Sequence, residues 1–178
     1  MGQSGVTLIE LLVVLAVSAI LLAVGVPSFA SLIQSTRLTS ATNELVASLS
    51  LARSEAIKRS GRAVMCVSAT GTSCAGRGWH EGWLVFHDAN GNARLDTGEV
   101  VVMRRGPLSA GLQVTSEGST ARYVSYAPSG GTKQVNGAWQ AGTLTLCDTS
   151  RTAGPGRKVI ISSTGRVRTA KMAQTACA

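Results

Sequence analysis

The chain opens with an uninterrupted hydrophobic stretch. Residues 6–26 are almost all apolar, and Glu10 is the one charged residue among them. As a helix rising about 1.5 Å per residue, this stretch is about 30 Å long, the thickness of a bilayer core. A secretory signal has a basic start, a shorter apolar region and then a cleavage site, whereas this stretch runs directly into more helix-forming sequence. The pattern predicts a retained helix that crosses a membrane once.

After Pro27 the hydrophobic positions become one-sided. Pro27 removes a helical hydrogen bond and tends to kink or loosen the helix. Apolar residues then recur at spacings of three and four, as in an amphipathic helix; they are Leu38, Ala41, Leu45, Leu49, Ala52 and Ala56. Gly61 follows a cationic last turn, which is typical of a helix end. We therefore predict that residues 27–60 continue the helix and pack against the rest of the chain.

Beyond residue 60 the pattern changes to short β-branched or aromatic runs separated by Gly, Ser, Asn and Pro. Such runs predict antiparallel strands, here at Ala63–Ser68, Trp83–His87, Val100–Arg104, Leu112–Thr115, Arg122–Ala127, Thr143–Cys147, Lys158–Ser162 and Arg166–Thr169. Residues 61–178 are predicted to form one β-rich globular head, since about 100–150 residues commonly share one core. The expected fold class is α+β: a long N-terminal hydrophobic helix packed on an antiparallel β-sheet head.

Positive charge is concentrated in the C-terminal third. The net charge is +8, and residues 121–178 supply +7 of it, from eight Lys and Arg against Asp148 alone. A clustered positive field attracts polyanions such as nucleic acid or an acidic surface, but a solvated surface has the same composition. The sequence contains no convergent nucleophile and base, no phosphate-binding glycine loop and no zinc-ligand spacing. We therefore expect neither enzymatic activity nor a cofactor.

Four cysteines lie beyond the hydrophobic stretch, an even number that predicts disulfides if the head is in an oxidising compartment. Three pairings are possible. Cys66–Cys74 is favoured because it closes a short Gly/Ser/Thr-rich loop. That choice leaves Cys147–Cys177, which would fasten the C-terminus to the preceding strand.

An oxygen-rich segment resembles a calcium-binding loop. Its oxygen-bearing side chains stand at positions 1, 3, 5, 9 and 12 of the twelve-residue EF-hand frame, namely Asp88, Asn90, Asn92, Asp96 and Glu99. Ala93 occupies the glycine position of that frame, and both flanks are strand-like rather than helical. Asn, Gly and Asp are also the residues that a hairpin turn requires. We favour the turn over a metal site.

Ten residues near the N-terminus, GVTLIELLVV from Gly5 to Val14, closely resemble the type IV pilin signature GFTLIELLVV. The resemblance implies that residues 1–5 are a leader peptide, that prepilin peptidase cuts between Gly5 and Val6, and that Val6 is N-methylated. It also implies that Glu10 pairs with the N-terminal amine of a neighbouring subunit. Such a partner would offset the roughly 2.5–3.5 kcal/mol that a lone carboxylate costs at the bilayer centre. The leader lacks the usual Lys and Arg.

The same resemblance implies a location and partners. The chain would be a single-pass protein of a bacterial inner membrane with its head in the periplasm, later assembled into a pilus or pseudopilus. Its partners would be prepilin peptidase and other pilins or minor pilins. Within this superfamily the chain resembles the GspH/FimT branch of minor pilins and pseudopilins. The resemblance rests on a strand with Gly82, Trp83, Val85, Phe86 and Asp88 and on the Asn/Asp-rich turn that follows it.

A second motif lies near the C-terminus, where Gly165 precedes two arginines separated by one residue, Arg166 and Arg168. In a strand, these two side chains project from one face about 6.6 Å apart, while Val167 points inward. FimT-type minor pilins of naturally transformable bacteria have a similar Gly-Arg-x-Arg motif that is implicated in DNA binding, so the resemblance implies DNA as a partner. Further cations are nearby in the sequence: Lys171, Arg157, Lys158 and Arg151.

An edge strand with its polar face in water shows the same alternation of Arg and Val. Two functions are therefore open. The first is a minor pilin that binds extracellular DNA for natural transformation, with little sequence specificity because strand arginines contact phosphates rather than base edges. The alternative, without DNA binding, is a structural minor pilin that primes pilus assembly, like FimU, or a type II secretion pseudopilin, like GspH.

Overall fold

The computed structural model describes Gly5, residues 7–149 and residues 156–172. One long helix, α1, spans Leu8–Lys58 and continues through Pro27. Eight strands and one 3₁₀ turn follow in the described part, and the strands lie within three residues of the predicted bounds. They are β1 Arg62–Val67, β2 Trp83–Asp88, β3 Val101–Arg105, β4 Leu112–Gly118, β5 Tyr123–Tyr126, β6 Gly142–Asp148, β7 Gly156–Ile161 and β8 Val167–Met172. The predicted α+β fold is confirmed.

The chain divides into two compact units, one ending at Thr36 and the other beginning at Arg37. In the first unit the apolar side chains of α1 are exposed over their whole described length. By length and composition α1 is apolar enough to cross a membrane, as the sequence predicts. The second unit, which we call the head, contains the rest of α1 and all eight strands.

In the part of the chain that the structure describes, the head contains two four-stranded antiparallel sheets beside its segment of α1. The first has the strand order β3-β2-β1-β5 and the second the order β4-β6-β7-β8. The residues from Arg37 onward in α1 pack on these sheets through the apolar face that the spacing predicts. Leu38, Leu45 and Leu49 are completely buried there, and each such side chain contributes about 1.5–3 kcal/mol of hydrophobic stabilisation.

The first sheet is covered on both faces. Val64, Leu84 and Phe86 are fully buried on the face of β1 and β2 that lies away from the main core. Ala93 and Leu95, from the loop between β2 and β3, pack on this second cluster. Because both faces of β1 and β2 are buried, the sequences of these two strands are nearly continuous apolar runs. The loop after β2 covers the second cluster.

Candidate functional site

The basic C-terminal motif forms part of the β7–β8 hairpin. β8 is the outer strand of the second sheet in the part of the chain that the structure describes. Arg157 is directly opposite Lys171, and Arg168 is opposite Ile160. Lys158 is opposite Ala170. The hairpin register therefore decides which cations share a face.

The cations are divided between the two faces of the hairpin. Val159 and Ile161 are buried in the core, so strand alternation places Arg157 on their face, together with its partner Lys171. Both line a cleft of about 290 Å³ with Thr42 and Asn43 of α1 and other residues. Lys158 and Arg168 belong to the opposite, outer face, and Arg168 is exposed. The cations that the sequence places near the C-terminus therefore do not form one flat patch.

Gly165 closes a tight turn that packs against another loop. Its N–H donates to the carbonyl oxygen of Ser162 over 2.9 Å, and its φ is +76°, in the left-handed region that favours glycine. A Cβ at this position would overlap the carbonyl oxygen of Gly130. Gly165 is therefore required twice, for its backbone conformation and for the close approach of a second loop.

Arg166 lies in the turn rather than in the strand, so the prediction that the strand starts there is wrong by one residue: β8 starts at Val167. The backbone N–H of Arg166 is held by Ser162 Oγ at 3.2 Å. Arg166 is exposed and lines a cleft of about 360 Å³ with Val46, Ser50 and Arg53 of α1, among other residues. Val167 is half-buried and packs on the core, as predicted.

Arg53 adds a cation to this cleft that sequence reasoning missed. Its Nη2 donates to the carbonyl oxygen of Thr164 over 3.5 Å, so the side chain reaches across to the turn. The residues are 111 positions apart in the sequence. In the sequence Arg53 occupies a polar position of the amphipathic helix. Only the packing of α1 on the strands brings its side chain to the turn.

Carboxylates are scarce around the hairpin. Residues 156–172 contain no Asp or Glu, and residues 118–147 contain none either. Ion pairs within the described residues join Glu55 to Lys58 and Arg59, and Glu44 to Arg105. None of these three pairs includes a cation of the hairpin.

A short arm beside the turn, residues 132–140, carries an exposed aromatic ring. Lys133 and Trp139 form an antiparallel bridge, and Lys133 Nζ lies 5.2 Å from the centre of the Trp139 ring. Trp139 is 65% exposed, whereas Trp79 and Trp83 are buried. The arm is joined to the turn by a hydrogen bond from the Thr132 N–H to the carbonyl oxygen of Ser163, at 2.9 Å. The sequence analysis singled out neither Lys133 nor Trp139.

The oxygen-rich loop after β2 holds itself together through its own oxygens. Both carboxylate oxygens of buried Asp88 accept backbone N–H groups, from Gly91, Asn92 and Ala93. One Asp96 oxygen accepts from the side-chain amides of Asn90 and Asn92, and these hydrogen bonds lower the pKa of Asp96. Glu99 accepts the N–H groups of Ala89 and Asp96. This is the bonding of a capped turn, and the described residues include no group of three His, Cys, Asp or Glu able to hold a metal ion.

The structure contains the Cys66–Cys74 disulfide, with the two Cα atoms 5.5 Å apart. Cys177 lies outside the described residues, so the Cys147–Cys177 pairing stays a prediction. Arg151 and Val6 also lie outside them. Gly5 is exposed, and nothing approaches within 4 Å of the position of an added Cβ.

Glu10 lies in the first turn of α1 and is exposed. Thr7 precedes the helix, and its Oγ1 accepts the backbone N–H of Glu10 over 3.3 Å, which caps the helix start. A carboxylate in the first turn also interacts favourably with the helix dipole. The Glu10 side chain is thus available on the surface of the single subunit.

Two families match the chain. The family described as type II transport protein GspH matches residues 41–165, and the prokaryotic N-terminal methylation motif matches residues 1–26. No curated protein matches. Two crystal structures of the type IV minor pilin FimU from Pseudomonas aeruginosa PAO1 are similar, with TM-scores of 0.58 and 0.56 and 21% identity in both cases. They cover 80% and 78% of this chain and 97% and 99% of theirs, and at this identity they show the fold alone.

Proposed function

Because the chain belongs to the GspH family of pilin-like subunits, we propose that it is a minor pilin of a type IV pilus whose head binds extracellular DNA for natural transformation. One observation carries this proposal. The β7–β8 hairpin presents cations on both faces at the edge of a sheet, and residues 156–172 contain no carboxylate. Such a surface suits a polyanion.

Processing and assembly form the first part of the proposal. Prepilin peptidase cuts between Gly5 and Val6, and the new N-terminus is N-methylated; the match of the methylation motif to residues 1–26 supports this. Glu10 then pairs with the N-terminal amine of a neighbouring subunit. A carboxylate and an ammonium that are matched in a low-dielectric filament core favour one register, whereas an unpaired carboxylate there is costly.

The membrane and the filament are the proposed surroundings of this chain. Before assembly, α1 anchors the subunit in the inner membrane with the head in the periplasm. The exposed apolar side chains of its first unit support such an anchor. After assembly these side chains contact other pilins in the filament core.

DNA contacts form the second part of the proposal. Arg166 at the turn, with Arg168 and Lys158 on the outer face, contacts successive phosphates; the planar guanidinium groups suit bidentate binding. Arg157 and Lys171 belong to the other face and contribute a smaller share through the strand edge. Binding is insensitive to sequence, because phosphate contacts carry no base information.

The salt dependence of DNA binding tests this site. The full chain in a nonionic detergent is titrated with a fluorescent duplex over a series of salt concentrations. The slope of log K against log salt is about −0.9 per neutralised phosphate. Arg166→Gln plus Arg168→Gln should therefore reduce the magnitude of this slope by about twice that value, because two phosphate contacts are lost. The matched control is Arg77→Gln plus Arg94→Gln, which removes the same charge from two exposed arginines outside the hairpin.

Two outcomes would overturn the site. If the wild type does not bind duplex even at low salt, the head is not a DNA receptor. If both double variants lose the same slope, binding follows net charge and not the hairpin. Retention of the control slope, with loss in the hairpin variant, is the expected result.

A second candidate is an assembly subunit that does not bind DNA, either a priming minor pilin or a secretion pseudopilin. The matched family is described as a type II transport protein, which favours the pseudopilin. In that case the hairpin cations contact another subunit, and Arg166→Gln plus Arg168→Gln abolishes filament assembly or secretion. If the hairpin serves DNA, the same variant leaves filaments intact and removes transformation only.

A further inference from the structure

Trp139 is exposed on the surface of the head. Its ring is 65% exposed, while Trp79 and Trp83 are at most 1% exposed. Large aromatic side chains usually stabilise a protein by burial, and Trp is also enriched at interfaces, where its ring offers a large apolar surface beside a polar N–H group. Trp139 is therefore a candidate for contact with a ligand or partner.

The arm holds this ring in place. The N–H of Gln134 donates to the carbonyl oxygen of Ala138 over 2.8 Å, and a turn at Gly137 closes the end. At the base, the Thr132 hydroxyl contacts the carbonyl oxygens of Gln140 and Ser162 at 2.6 Å and 3.0 Å. These bonds tie the arm to the β7–β8 turn and order the backbone on both sides of the ring.

The ring lies next to the turn that presents Arg166. A Cβ added at Gly131 would lie 3.7 Å from Cζ3 of Trp139 and 3.2 Å from the carbonyl oxygen of Ser163. The aromatic edge and the turn are thus both within contact distance of one small residue.

The surroundings of the ring suit a nucleic acid better than a protein. Lys133 lies over the ring, and residues 118–147 contain no Asp or Glu. Val135, 47% exposed, is the other large apolar side chain of the arm. An aromatic face next to cations binds single-stranded nucleic acid, since a base stacks on the ring while its phosphate meets the cation. In a duplex the base faces are already stacked on one another.

We propose that Trp139 is a base-stacking platform, so that the head binds single-stranded DNA more tightly than duplex DNA. The proposal rests on the proposed DNA-binding function and specifies the form of DNA. The base stacks on the face of the ring that Lys133 leaves open, and Arg166 and Lys133 supply positive charge to the neighbouring phosphates. The preference for unpaired bases is independent of sequence because every base has an aromatic face.

The test uses the full chain in a nonionic detergent with three probes of equal length: a thymidine oligomer, a duplex and an oligomer of abasic sites. Trp139→Ala should weaken binding of the thymidine oligomer by about 5- to 150-fold, the usual effect of losing one stacked base. Trp139→Phe should retain most of the affinity. Duplex and abasic affinities should be nearly unchanged in both variants, because these probes offer no free base to the ring.

Intrinsic fluorescence gives a second readout. The other two tryptophans are buried, so quenching by the thymidine oligomer should come from Trp139 and disappear in Trp139→Phe. The unfolding midpoint of each variant reports whether the head is intact, and an exposed ring predicts no change.

The possible failures are distinguishable. If the wild type binds none of the probes, the proposed function fails together with this inference. If it binds duplex as tightly as the thymidine oligomer, or Trp139→Ala weakens all probes equally, stacking is refuted and the DNA-binding function stands. If Trp139→Ala leaves DNA binding intact but abolishes filament assembly, the ring serves a protein partner and the inference is overturned.

Discussion

Replacing Gly165 with alanine should destabilise the head much more than replacing Gly137. Both glycines have positive φ, +76° and +84°. An added Cβ at Gly137 meets nothing within 4 Å, whereas at Gly165 it overlaps the carbonyl oxygen of Gly130. The pair therefore separates the cost of the left-handed conformation from the cost of the close approach.

The magnitudes follow from these two environments. The left-handed conformation costs an L-residue about 1–2 kcal/mol, and the lower entropy of the unfolded chain returns about 0.4–1 kcal/mol. Gly137→Ala should thus lose about 1 kcal/mol. Gly165→Ala must also displace the loop at Gly130, which weakens the hydrogen bonds Thr132 N to Ser163 O and Ala127 N to Gly131 O. At about 1 kcal/mol for each bond, the total is about 3 kcal/mol.

Thermal unfolding followed by tryptophan fluorescence measures the difference, because Trp79 and Trp83 are buried in the head. At roughly 3–5 °C per kcal/mol for a head of this size, Gly165→Ala should lower the midpoint by about 10 °C or more and Gly137→Ala by a few degrees. DNA affinity should fall with Gly165→Ala even below the midpoint, since the turn presenting Arg166 is displaced. Equal midpoint shifts for the two variants would refute the contribution of the close approach.

Three further predictions concern other parts of the molecule. Glu10→Gln should leave the subunit in the membrane but stop its assembly, seen as loss of surface filaments at an unchanged subunit level; normal filaments would contradict the pairing role. Cys66→Ala plus Cys74→Ala should cost about 2.5 kcal/mol in urea unfolding, the loop-closure entropy of a short loop, and reduction of the wild type should match it. A hydrogen bond from Arg59 lowers the pKa of Glu55 below 4.5, so its stabilising contribution is present above pH 4.5 and lost as the pH falls through the folded-state pKa. Glu55→Gln should therefore lose less stability between pH 7 and pH 3 than the wild type, and an equal loss would contradict this assignment.

The elements of the fold could be predicted because their signals are local. The one-sided spacing from Leu38 to Ala56 identifies the buried helix face, and all six of its predicted apolar residues are buried. Alternating runs between glycine-rich turns located all eight strands. The predicted start of β8 was one residue too early, since the positive φ of Gly165 and the bond to Ser162 keep Arg166 in a turn.

The sequence predicted the cations of the candidate site but not which of them share a face. Gly165, Arg166 and Arg168 are adjacent in the sequence, so a motif can contain them. The register of β7 against β8 puts Arg157 and Lys171 on one face and Lys158 and Arg168 on the other. Alternating residues in a sequence do not determine that register. Only a pairing between distant segments decides which cations share a face.

The sequence by itself determined the apolar N-terminal helix, the α+β class, the capped loop after β2 and the concentration of positive charge, because each depends on residues that are close together in the chain. The tertiary structure alone decided that Arg53 of α1 reaches the turn at Thr164 and that Trp139 stands beside it. Helix packing and loop contacts set these positions, and their partners are separated by tens of residues or more. Side-chain chemistry is local, whereas the site in which it acts is assembled by the packing of the whole head.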